Sequence, residues 1–167
     1  MEKLKIGIAG LGRIGKIHLN NLLQLYNVDV LAAMDPDIEA QKYAKNKGVK
    51  LVYKTYKELL NVQDIKALII CTPTDTHAEY VELAALEGKH VFCEKPLDLN
   101  INRVIEVLEI VKKTKIKLMI GFNRRFDREF GRVKKRIENG DIGEPHLVKI
   151  TSRDPSPPPL SYIKHSG

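Results

Sequence analysis

Gly10-Leu11-Gly12-Arg13-Ile14-Gly15 follows the apolar stretch 3–9 and opens segment 13–25, where Ile14, Ile17, Leu22 and Leu25 recur at helical spacing. A G-x-G-x-x-G between a strand and a helix decides the fold, because each glycine has its own physical task. Gly10 permits a tight turn, Gly12 lets the backbone approach a pyrophosphate, and Gly15 lets the helix pack closely on the strand. The helix N-terminus then offers free N–H groups and a positive dipole end to phosphate. Leu11 and Ile14 complete the loop, and Arg13 is a further candidate to touch phosphate. Asp35 closes the next strand pattern, 28–34, about twenty residues on, where an acid can accept hydrogen bonds from ribose hydroxyls. Its charge repels a 2′-phosphate, so NAD is expected over NADP. A domain of this type that binds another nucleotide is the competing reading.

Working outward, the two periodicities keep alternating. Helix is predicted over 36–47, a short strand over 50–53, and a brief helix opened by the capping box Thr55-Tyr56-Lys57-Glu58. The run 65–71 reads as a central parallel strand. Thr76-His77-Ala78-Glu79 reads as a second capping box, with its helix stopping at Gly88. Strand 90–93, helix 100–113 and strand 117–121 complete the series. The fold class is therefore α/β, a doubly wound parallel sheet of the Rossmann, dinucleotide-binding type. Past a boundary near residue 122, a helix over 128–139 and turns at Gly140 and Gly143 lead to a new strand at 146–152. That strand is expected to be the first of a truncated C-terminal α+β domain. The domains are thus 1–122 and 123–167.

Glu94-Lys95-Pro96 ends strand 90–93. Proline lacks an N–H and stops pairing, so the two charged residues are expected at the sheet rim. Strand carboxyl ends are where open α/β sheets bind ligands, which makes Lys95 a candidate for chemistry.

The net charge is +7, with basic clusters at 112–117 and 132–136. Neither contains an aromatic residue for stacking on bases, and both fit solvated helix faces, so no specific nucleic-acid partner is expected. No apolar run is long enough for a bilayer, and the N-terminus enters a strand pattern directly, so a cytoplasmic protein without a membrane partner is expected. Cys71 and Cys93 end apolar strands and are read as reduced core thiols. No metal site is expected. His18 and His146 are read as packing or surface residues.

These pieces together resemble the Gfo/Idh/MocA family of NAD(P)-dependent oxidoreductases, which act mainly on sugars and polyols. The resemblance covers the whole chain. It rests on the glycine loop, on Cys71-Thr72-Pro73-Thr74 with His77, on Gly88-Lys89-His90-Val91 running into Glu94-Lys95-Pro96, and on Gly121-Phe122-Asn123-Arg124-Arg125-Phe126-Asp127. The last two motifs and Ser152-Arg153-Asp154-Pro155 look most like the inositol 2-dehydrogenases. The resemblance implies that Cys71, Thr72, Pro73, Thr74 and His77 line the cofactor. It implies that Glu94 and Lys95 flank the nicotinamide, with Lys95 donating to a substrate hydroxyl. Asn123 is implied at the cofactor, and Arg125 and Asp154 at the polyol; Arg124 is read as structural, paired with a carboxylate.

Hydride transfer from a carbinol also needs a base for the hydroxyl proton. In this family that base is a histidine with an aspartate a few residues earlier, beyond a glycine pair. The chain ends Tyr162-Ile163-Lys164-His165-Ser166-Gly167, with no such pattern. Lysine alone, with a reference pKa of ~10.4, is a poor base at neutral pH. The chain is therefore expected to be the N-terminal part of a polyol dehydrogenase, incomplete as it stands. The alternative is a non-catalytic NAD-binding module, or a subunit completed by another polypeptide. An unpaired strand at 146–152 would offer an edge for self-association.

Overall fold

The computed structural model describes residues 2–153, 156 and 157. Asp154 lies outside them, as do residues 158–167. Six parallel strands form one sheet: β1 (Leu4–Ala9), β2 (Val28–Met34), β3 (Leu51–Tyr53), β4 (Ala67–Ile70), β5 (His90–Cys93) and β6 (Leu118–Ile120). Their order is β3-β2-β1-β4-β5-β6. The chain winds outward from β1 through β2 and β3, then returns to β1's other side for β4. That reversal opens a crevice at the carboxyl ends of β1 and β4.

The crossovers carry α1 (Arg13–Leu22), α2 (Ile38–Asn46), α3 (Tyr56–Leu60), α4 (Thr74–Leu86) and α5 (Ile101–Thr114). Strand alternation sends apolar side chains into two separate clusters. Ile6, Ile8, Leu11, Leu19, Val30 and Ala33 form one with Ala40 and Ala44 of α2. Ala9, Met34, Leu68, Ile70, Val91 and Cys93 form the other with Val81 of α4 and Val107 of α5. A sheet covered on both faces explains the nearly continuous apolar runs in its central strands.

The strands are also level at one end. Ala9 pairs with Met34 and Ile70, Met34 with Tyr53, Ile70 with Cys93, and Cys93 with Ile120. Each following residue donates one more ladder hydrogen bond: Gly10 N to Met34 O, Asp35 N to Tyr53 O, Cys71 N to Ala9 O, Glu94 N to Ile70 O, and Gly121 N to Cys93 O. These five residues therefore form a row along a single rim.

A second compact unit begins at Phe122. It contains a 3-10 turn, Asn123–Phe126, and α6 (Arg128–Glu138), capped by Asp127, whose carboxylate accepts from Glu129 N and Phe130 N. Arg124 pairs with Asp127 at 3.8 Å, as expected of a structural arginine.

Two expectations are corrected. The Thr76 capping box does not form: α4 starts three residues earlier than that box requires, at Thr74, with Pro73 as its N-cap. Thr76 Oγ1 instead donates to Pro73 O at 2.7 Å. The strand at 146–152 is not formed either, since those residues have no ladder and are exposed. A strand is held by its neighbour's hydrogen bonds, and the described residues provide no partner there.

Candidate functional site

The glycine loop leaves the end of β1 with Gly10 at φ +85°. A Cβ on Gly10 would lie 2.6 Å from the backbone of Cys71, so only glycine lets the loop cross so close to the end of β4. Gly15 is tighter still. A Cβ there would lie 1.9 Å from Gly10 O, which is how α1 packs against its own loop. At Gly12 a Cβ would meet nothing within 4 Å, so the loop faces open space where the helix begins. Gly12 is also the N-cap of α1 and brings no side-chain cap. The first N–H groups of α1 are thus left for an anion. This cradle fits the pyrophosphate of a dinucleotide. Arg13 is exposed and Ile14 half-buried in the first turn, while Leu11 is buried beneath the loop.

Asp35 is fixed by the loop it serves. Leu11 N–H donates to Oδ2 at 2.6 Å and Asp37 N–H donates to Oδ1 at 2.9 Å. Gln41 donates from its amide to Asp35 O at 2.8 Å. A carboxylate has about four lone-pair sites, so two backbone donors orient it without exhausting it.

Beyond β4, the Thr72 and Thr76 hydroxyls lie 2.6 Å apart. Thr76 uses its proton on Pro73 O, so Thr72 must donate to Thr76 and presents only lone pairs to a ligand. Thr74 is buried in the first turn of α4, and Pro73 is exposed. His77 is 2 % exposed. Its Nδ1 lies 2.7 Å from Pro96 O and its Nε2 2.8 Å from Thr72 O. Both nitrogens are therefore engaged with backbone, and His77 links the loops that follow β4 and β5.

Burial and the neighbouring Glu94 push the Cys71 thiol well above the usual thiol range. The same two causes raise Cys93 to about 12, and both cysteines are free. These thiols stay protonated at neutral pH and are poor nucleophiles.

Beyond β5, the Lys95–Pro96 peptide is cis and Lys95 is exposed. Glu94 Oε1 lies 2.8 Å from His18 Nε2 on α1. The His18 ring meets Phe92 edge-on, with centroids 5.2 Å apart. A Cβ on Gly121 would sit 3.1 Å from Glu94 Oε2, so the glycine after β6 makes room for the carboxylate. Reading His18 as mere packing or surface missed this pair. In the second unit, Asn123 and Arg125 are exposed on the 3-10 turn.

The family described as an oxidoreductase family with an NAD-binding Rossmann fold matches residues 4–122. The chain belongs to the Gfo/Idh/MocA family. It is 47 % identical over 165 residues to myo-inositol 2-dehydrogenase of Thermotoga maritima, covering 98 % of this chain and 49 % of that protein. It is 46 % identical over 165 residues to inositol 2-dehydrogenase of Rhizobium meliloti, with the same two coverages. A scyllo-inositol dehydrogenase from Lactobacillus casei, solved with NAD(H) and scyllo-inositol bound, superposes with a TM-score of 0.82. That match is 34 % identical and covers 86 % of this chain and 43 % of the other. This Gfo/Idh/MocA chain therefore spans about half the length of the curated relatives it matches. Among its described residues no group of three metal-binding side chains occurs, and no helix is long and apolar enough to cross a membrane.

Proposed function

We propose that this chain is the cofactor-binding half of an NAD-dependent dehydrogenase that oxidises a carbinol of a polyol of the inositol type. Residues 1–122 form the cofactor domain, and 123–167 begin the substrate and oligomerisation domain. The observation that carries this reading is the level rim, which sets the glycine loop, Asp35, Cys71 and Glu94 in one row. The loop's phosphate cradle lies at the switch point, and Asp35 marks the adenosine side. Thr72, Pro73, Thr74 and Glu94 then border the other half of the dinucleotide.

When bound, NAD supplies the ring that accepts hydride. The chain's own residues bind and orient. Asp35 accepts from ribose hydroxyls, and its charge disfavours a 2′-phosphate. Thr72 offers lone pairs to a donor such as a hydroxyl or carboxamide, in line with its committed proton. Lys95 donates to the reacting hydroxyl of the polyol, Arg125 and Asp154 hold other hydroxyls, and Asn123 serves the cofactor. The protein is proposed to be cytoplasmic, with no specific nucleic-acid or membrane partner. The exposed Leu147, Val148 and Ile150 favour self-association through 146–152.

Calorimetric titration with NAD and NADP tests the cofactor assignment. NAD is expected to bind at least about tenfold more tightly, the scale of one charge-assisted hydrogen bond. Asp35→Ala should narrow that gap, and tighter binding of NADP would overturn the role of Asp35. NADH formation with myo-inositol, measured on the chain joined to the other half of the enzyme, separates the dehydrogenase from a non-catalytic NAD-binding module. Lys95→Ala should lower that rate at least about a hundredfold; an unchanged rate would remove Lys95 from the reaction.

A further inference from the structure

We propose that Glu94 biases this site toward the oxidised, cationic form of its dinucleotide, with His18 as the residue that positions the Glu94 carboxylate. This rests on the dinucleotide reading above. The topology supplies the first step. A doubly wound sheet binds its ligand as two mononucleotide halves on either side of the switch point. Asp35, at the end of β2, takes the adenosine side. The ring that changes charge therefore belongs to the side of β4 and β5, where Glu94 sits on the rim.

The second step is that Glu94 is held. A rim glutamate with three free torsions would spread its charge through solvent and discriminate little. Here Oε1 is 2.8 Å from His18 Nε2, and the His18 ring is braced edge-on by Phe92. The lack of a side chain at Gly121 leaves space for Oε2. Both side chains are partly buried, and His18 Nε2 is the side-chain hydrogen-bond partner that Glu94 has among the described residues. The hydrogen bond to His18 engages Oε1 and leaves the remaining lone pairs of the carboxylate open. A fixed negative charge at this place stabilises a pyridinium ring and does nothing comparable for the neutral reduced ring. Lys95, one residue on, is the same in every variant compared, so its charge cancels.

The test is the ratio of two affinities, because a merely structural role would change both together. Dissociation constants for NAD+ and NADH are measured by calorimetry for the wild type, Glu94→Gln, His18→Ala and His18→Gln. Glu94→Gln keeps shape and removes charge. It should lower the NAD+ preference by about fourfold or more, the scale of one unit charge at close range in a water-like dielectric. His18→Ala should move the ratio in the same direction, and His18→Gln, whose amide can still donate, should restore it. An unchanged ratio in Glu94→Gln overturns the charge role, a comparison that stands even where His18→Ala fails to fold. Equal weakening of both forms in His18→Ala overturns the positioning role. A wild-type chain that binds neither form overturns the dinucleotide reading itself, and this inference with it.

Discussion

His77 joins two loops through one side chain, with Thr72 O at 2.8 Å and Pro96 O at 2.7 Å. Leucine at this position would fill similar volume but could donate to neither carbonyl. An unmade bond to a buried polar group costs about 1–3 kcal/mol. His77→Leu should therefore lower stability by about 1–3 kcal/mol, read as a fall in the urea midpoint at unchanged slope. His77→Gln keeps donors and should lose less. A His77→Leu midpoint equal to the wild type's would show that neither carbonyl depends on the ring. His77 could be picked out from the motif, but its partner Pro96 is 19 residues away, in a loop whose course nothing local specifies. His18 was harder. Its partner Glu94 is 76 residues away, and no spacing rule links a helix interior to a strand end on the far side of the switch point. Glycines were the readable case, because a G-x-G-x-x-G states its steric demands in the chain itself.

The two capping boxes in the sequence had different fates, and the reason lies in what precedes each. Thr55 accepts from Glu58 N, and Glu58 answers by accepting from Thr55 N at 2.9 Å. Lys54 before it is free to be extended, so the local pattern wins. Before Thr76 stands Pro73, which ends the extended segment as the N-cap, and α4 begins at Thr74 instead. The hydroxyl of Thr76 is then inside the helix and turns to Pro73 O. Thr55→Ala should destabilise the protein by about 1 kcal/mol in chemical denaturation. The Thr55 hydrogen bonds also hold the Glu58 carboxyl below its ordinary range. A depressed folded-state value means this contribution is present above the unfolded carboxylate range and lost as pH falls through the folded one. The gap between wild type and Thr55→Ala should accordingly narrow on acidification below about pH 4. A gap that stays constant to pH 3 would mean that the Glu58 half of the box contributes nothing.

One sheet carries most of what is legible in the sequence, because alternating strand and helix periods, right-handed crossovers and a glycine loop leave few arrangements open. The level rim is a consequence of register, which no single segment displays; it emerges when Ala9, Met34, Ile70, Cys93 and Ile120 fall in line. The expectation at 146–152 failed for the converse reason. Its β-branched residues Val148, Ile150 and Thr151 state a preference, but a strand exists only by pairing, and the preference alone forms no ladder. The same contrast bears on where the cofactor domain stops. Both apolar clusters are built wholly from residues up to Ile120. All six strands also lie before Gly121. A polypeptide of residues 1–122 should then unfold in one cooperative transition, since no core residue is removed, and bind NAD with about tenfold lower affinity or less, the scale of the one hydrogen bond proposed for Asn123. Loss of cooperativity, or a fall in NAD affinity well beyond tenfold on removing 123–167, would place more of the cofactor site than Asn123 beyond the boundary drawn at residue 122.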